Sequence, residues 1–151
     1  MITSKLLTKD YPLIMLPSLA IALNGTSEKG GNRNGDRKAL FLQQVYYWVS
    51  KAEESGGQIG KYHNGCWWIY NSISEWQKQF PFWSERTLGR IISALLEDGV
   101  LQRFQEGAGA GTKSYFTIDH KRLAVLREER CHNGSADDPE YGHSDDIQRN
   151  N

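Results

Sequence analysis

The sequence predicts an α+β, mainly helical domain: a winged helix-turn-helix with a small antiparallel sheet. Three observations carry that expectation. In residues 74–80, apolar Trp76 and Phe80 fall one turn apart, behind a capping Ser74 and ahead of Pro81, so the segment reads as a short helix. Ser84 opens a second helix. In it Leu88, Ile91, Ile92, Leu95 and Leu96 recur at i, i+3, i+4 and i+7 spacing, and Gly99 can close it in a left-handed cap. Two β-prone runs, residues 100–104 and 114–118, then flank the glycine-rich EGAGAGTK as two arms flank a hairpin tip.

Taken in chain order, residues 12–16 read as a short extended run, and Pro17 starts a helix carrying Leu19, Ala20 and Leu23. A flexible loop is expected at 24–36, from its Asn, Gly and Ser content. Asp36 can cap the next helix, 37–50. Its residues Leu40, Phe41, Leu42, Val45, Tyr46, Trp48 and Val49 are apolar nearly all round, which predicts burial on more than one side. Residues 62–70, aromatic and β-prone, read as one strand that pairs with the hairpin. Within 114–118 Tyr115 and Thr117 alternate with Phe116 and Ile118, as in a half-buried strand. Asp119 can cap a last helix, 120–129, with Leu123 and Leu126 as its apolar contacts. The winged-helix domain is thus expected at 1–130, and 131–151 as an acidic, disordered tail.

Composition bounds the function. A chain of 151 residues suits one domain. No apolar run approaches the roughly 20 residues of a membrane span, and the start lacks a secretory signal layout, so a cytoplasmic protein without membrane partners is expected. Formal net charge is zero, but it is unevenly spread. The tail carries five carboxylates against Arg149, a net −4, which leaves seventeen basic and thirteen acidic residues, or +4, on 1–130. That balance is mild and fits ordinary solvated charge as well as a nucleic-acid partner. Cys66 and Cys131 lie too far apart in kind and place for a disulfide framework. Cys131, His132 and His143 lack a fourth ligand at metal-site spacing, so no metal and no cofactor are expected. No phosphate loop, GxSxG or HExxH is present, and no enzyme is expected.

The candidate DNA contacts are Ser84, Glu85, Arg86, Thr87, Gly89, Arg90 and Ser93 on the second helix, with Arg103 and Lys113 on the hairpin. Ser84 and Thr87 sit where hydroxyls and free helix N–H groups can meet a phosphate. Arg86 and Arg90, one turn apart, suit a base edge and a phosphate respectively; two solvated surface arginines are the plainer alternative. Glu85 repels phosphate unless it accepts from a cytosine amino group. Glu97 and Asp98 at the far end would have to point away from DNA. The hairpin tip GAGAG has no side chain for a minor groove, where wings usually carry Arg or Lys. Arg33, Arg37 and Lys38 form a second basic group, which a solvated loop explains. Of the five tryptophans, only the outward one of Trp67 and Trp68, together with Trp83, is free to contact a partner.

The segments LPSLA (residues 16–20), ALFLQQVYYW (39–48), NGCWWIYNSISEWQKQFPFWSERTLGRIISALLEDGVL (64–101) and TKSYFTID (112–119) resemble a family of small winged-helix proteins. These are encoded by phages, plasmids and mobile elements of Gram-positive bacteria and are akin to the amino-terminal domains of phage replication initiators and DnaD-type primosome proteins. The resemblance is most specific at 76–95. It implies double-stranded DNA binding in replication initiation or transcriptional control. This chain departs from the family at the 24–36 insertion, and it ends in an acidic tail where initiators continue into a second domain. Those departures keep open a second class, a protein-binding adaptor or an inhibitor of a host DNA-processing enzyme. A homodimer is expected, since one recognition helix reads few base pairs and the helix 37–50 or the segment before it has apolar surface to spare.

Overall fold

The computed structural model describes residues 12–24 and 34–134, with side chains to residue 129. The chain is α+β and mainly helical: α1 (Pro17–Leu23), α2 (Gly35–Glu54), β1 (Lys61–His63), β2 (Cys66–Tyr70), α3 (Ile73–Gln79), α4 (Glu85–Asp98), β3 (Leu101–Glu106), β4 (Lys113–Ile118) and α5 (His120–Gly134). The strands form one antiparallel sheet in the order β1-β2-β4-β3.

The apolar stripe of α2 makes it the central helix. Ala39, Phe41, Leu42, Val45 and Ala52 are buried, and the helix packs against α1, α4, β2 and β4, which is the burial on several sides its composition predicts. Its start corrects the expectation of a cap at Asp36. Asn34 is the cap, in a left-handed conformation at φ 41°, and Asp36 lies within the first turn, where a carboxylate favours the helix dipole. Gly35 explains the earlier start: a Cβ there would lie 2.1 Å from the carbonyl oxygen of Ala20, so only glycine lets α2 begin against the end of α1. Positions 35 and 36 of the expected loop are therefore helix, while 25–33, including Arg33, lie outside the described residues.

Pro17 opens α1 as expected, and Leu19, Ala22 and Leu23 are buried. Ahead of it the chain is tied to α2 by the Gln43 amide, whose Oε1 accepts the Leu16 N–H at 3.0 Å and whose Nε2 donates to the Ile14 carbonyl. The segment's side chains remain outside the core: Leu13, Ile14, Met15 and Leu16 are all exposed.

Residues 62–70 are not one strand. Asn64 and Gly65, at φ 51° and 77°, turn the chain between β1 and β2. An Asn-Gly pair is a strong hairpin signal because both turn residues need positive φ. The expected pairing with the later hairpin does form, through Ile69 to Phe116 and Tyr70 to Tyr115. Trp68 is the buried member of its pair and donates from Nε1 to the His63 carbonyl at 2.9 Å; Trp67 is half-buried.

α3 begins at Ile73 rather than behind Ser74. Ser72 caps it in a reciprocal box: its Oγ accepts the Glu75 N–H, and Glu75 Oε1 accepts the Ser72 N–H, each at 3.2 Å. Ser74 is inside the first turn. Trp76 and Phe80 are buried against Phe41, and Phe80 stacks on Trp83 at 4.8 Å between centroids. Trp83 is consequently buried, not available to a partner as its position suggested; Phe82, 58% exposed, is the aromatic left outside. α4 follows its expectation closely, with Ser84 Oγ accepting the Thr87 N–H at 3.1 Å and Gly99 closing the helix at φ 81°. Leu88, Ile91, Ile92 and Leu95 are its buried face.

β3 and β4 pair over six positions from Leu101–Ile118 to Glu106–Lys113. Asp119 accepts the Arg122 N–H at 3.0 Å at the start of α5. That helix continues to Gly134, past the expected end at 129 and into the first four residues assigned to the tail. Residues 135–151, with His143 and the tail's carboxylates, lie outside the described residues, as do the side chains of Cys131 and His132. No described helix is long and apolar enough to cross a membrane.

Candidate nucleic-acid interface

α4 has one buried face and one exposed ridge, and that division follows from its spacing. With Leu88, Ile91, Ile92 and Leu95 fixed on the core, Arg86, Arg90, Ser93 and Glu97 fall on the outward side at helical intervals. Ser84 and Glu85, also exposed, stand at the start of this ridge, and Thr87 flanks it half-buried. Among the described residues neither Arg86 nor Arg90 has a hydrogen-bond or ion-pair partner.

Clefts border the ridge on both sides. One, of about 310 Å3, lies between α4 and the β3–β4 hairpin. Ile73 and Trp76 of α3, Gly89 and Ser93 of α4, and Arg103 and Ser114 of the hairpin line it. The indole Nε1 of Trp76 is buried there with no hydrogen-bond partner among the described residues. Gly89 is not required by packing, since a Cβ would meet Ile73 Cδ1 at an ordinary 3.8 Å. A glycine within a helix costs roughly 0.5–1 kcal/mol relative to alanine. What the site gains is bare backbone on the cleft wall.

The second cleft, of about 260 Å3, lies between α4 and the start of α2, lined by Asn34, Arg37, Lys38, Thr87, Arg90 and Ile91. Beneath it Lys38 is buried, its Nζ 3.0 Å from Asp98 Oδ2 and 3.5 Å from the Leu23 carbonyl. Lys38 is thus a structural cation, not part of a solvated basic loop. Asp98 meets the requirement that it point away from the ridge by facing the core. Both placements had a signal in the sequence. Lys38 shares the phase of Phe41, Leu42 and Val45, and Asp98 that of Leu88, Ile91 and Leu95, so each charge stands on a buried stripe. Arg37, of the same basic group, lies at the start of α2 and lines this cleft together with Arg90.

The hairpin divides the remaining candidates. Strand alternation puts Arg103, opposite Phe116, on the sheet face towards α4, and Lys113, opposite Glu106, on the other face. There the Lys113 ammonium lies 5.4 Å over the Tyr70 ring. Lys113 is therefore not brought together with Arg86, Arg90 and Arg103. Lys61 bonds Glu106 at 2.6 Å, and that hydrogen bond holds the Glu106 carboxyl below its usual range. The tip is a single 3-10 turn, Gly109–Gly111, closed by the Thr112 hydroxyl donating to the Gly109 carbonyl at 2.9 Å. Gly107, at φ 101°, is needed where it stands because a Cβ would lie 2.6 Å from the Gly111 oxygen. Comparison with protein-family models, with curated proteins and with solved structures finds no match for this chain.

Proposed function

We propose that α3, α4 and the β3–β4 hairpin act as a winged helix-turn-helix that binds double-stranded DNA, with α4 as the helix that enters the major groove. One observation carries the reading. Arg86 and Arg90 stand one turn apart, with no ion-pair partner among the described residues, on the exposed ridge of a serine-capped helix whose opposite face is fixed in the core. In this arrangement Arg86, nearer the helix start, reaches a base edge, while Arg90, Ser84 and Thr87 hold phosphates. The sequence resemblance supplies the setting: a cytoplasmic protein of a phage or mobile element, acting in replication initiation or in control of the element's genes. It works as a homodimer, joined through the exposed apolar side chains of Ile14, Leu16, Ile21, Tyr46 and Tyr47.

A second reading is favoured by the hairpin tip, which bears no charge between Glu106 and Lys113, and by exposed Phe82 beside α4. In that reading the same ridge docks on a protein. Salt titration of binding to random duplex DNA decides between them. DNA binding gives log Kobs falling linearly with log[salt], by about 0.9 for each phosphate contacted. Absence of any duplex binding at low salt leaves the protein-binding reading, with Phe82→Ala as the first variant to test against candidate partners.

A further inference from the structure

We infer that the cleft between α2 and α4 is a phosphate site, which seats one phosphodiester of the duplex between Arg37 and Arg90. The inference rests on the DNA reading and extends it to a helix outside the helix-turn-helix. Arg37 and Arg90 come from different elements and line one cleft, and neither has an ion-pair partner among the described residues. Among the described residues no carboxylate lines it. The carboxylate beneath, Asp98, is joined to Lys38 at 3.0 Å. Counted with Asp36, on the same turn of α2 as Arg37, the two arginines leave the described residues at the cleft net positive.

Thr87 adds a directed donor. Ser84 Oγ accepts the Thr87 N–H and donates its own proton to Thr87 Oγ1, both at 3.1 Å, which leaves the Thr87 hydroxyl proton free. Arginine forks and a hydroxyl arriving from separate directions suit a tetrahedral oxyanion better than a planar carboxylate. The start of the 20-residue α2 contributes its positive dipole end to the same cleft. A backbone phosphate seated here would fix the angle at which α4 meets the duplex, because α2 and α4 are locked together by the Lys38–Asp98 pair.

The test measures duplex binding against salt for the wild-type protein, Arg37→Gln and, as a control on α5, Lys121→Gln. It adds a titration of the free wild-type protein with inorganic phosphate, followed by backbone amide shifts. Arg37 is exposed, so Arg37→Gln should keep the wild-type circular dichroism and melting temperature. The expected result is a salt slope reduced by about 0.9 in Arg37→Gln and unchanged in Lys121→Gln. A slope equal to wild type in Arg37→Gln, with DNA still bound, overturns the phosphate site and spares the DNA reading. If no duplex binds, saturable phosphate-dependent shifts at Arg37 and Thr87, lost in Arg37→Gln, keep the site as one for a free phosphate compound. Absence of both overturns the site together with the DNA reading.

Discussion

The two ends of α4 use charge in opposite ways. At the carboxy-terminal end Asp98 is buried: its carboxylate meets Lys38 of α2 at 3.0 Å, and its carbonyl accepts Arg122 Nε of α5 at 2.9 Å. Towards the amino-terminal end Arg86 and Arg90 stand exposed on the ridge, with no ion-pair partner among the described residues. A buried charge must be paired, since isolation from water costs several kcal/mol, and once paired it fixes two helices in one register. An exposed charge loses little by lacking a partner and stays available to a ligand. The difference separates side chains that hold α4 in place from those that it presents.

The largest expected effect is at the buried end. Lys38→Met removes the cation 3.0 Å from the buried Asp98 carboxylate and should cost about 3–5 kcal/mol in urea unfolding, whereas Lys38→Met with Asp98→Leu should recover most of that loss. A single variant as stable as wild type would erase the contrast between the two ends. Next comes Leu88→Ala, on the buried face between them, with a loss of about 2–5 kcal/mol.

At the exposed end the effect moves from folding to binding. Arg86→Ala should leave the unfolding midpoint within error of wild type, yet weaken binding to a specific duplex by about 1–3 kcal/mol and relax preference at one base pair. A fall in stability as large as that of Leu88→Ala would mean that Arg86 belongs to the framework. Ser84→Ala, which removes the cap, should cost about 1 kcal/mol of stability.

The smallest effect concerns Glu106. Lys61 lowers its carboxyl below the ordinary value of 4.5, so the pair stabilises the folded chain above that pH and ceases to do so as the pH falls through the lowered value. The melting-temperature difference between wild type and Glu106→Gln should accordingly shrink on acidification through that range. A difference constant from pH 7 to pH 3 would show the pair to be inert.

Much of this was legible in the residues. The stripe of α4, its Ser84 and Gly99 caps, the Pro17 start of α1 and the β3–β4 hairpin all depend on neighbours within a few positions, where propensity and spacing act directly. Asn64-Gly65 was a local signal of the same kind, hidden by the unbroken aromatic character of 62–70. Ser72 and Ser74 are chemically equal candidates for the α3 cap; the Glu75 carboxylate settles the choice, because it can return a bond only to the residue three before it.

Local pattern by itself determined which faces are apolar, where helices stop, and that Arg86 and Arg90 share the side of α4 opposite its core stripe. Only the tertiary structure decided which residues meet from distant parts of the chain. It withdrew Trp83 by stacking it on Phe80, turned Lys38 from a loop cation into a buried lock, set Lys113 on the far side of the sheet from Arg103, and brought Arg37 to Arg90. Periodicity assigns a side chain to a face of its own element. The partner across that face is chosen by packing, where apolar area is removed from water and every buried charge must find its opposite.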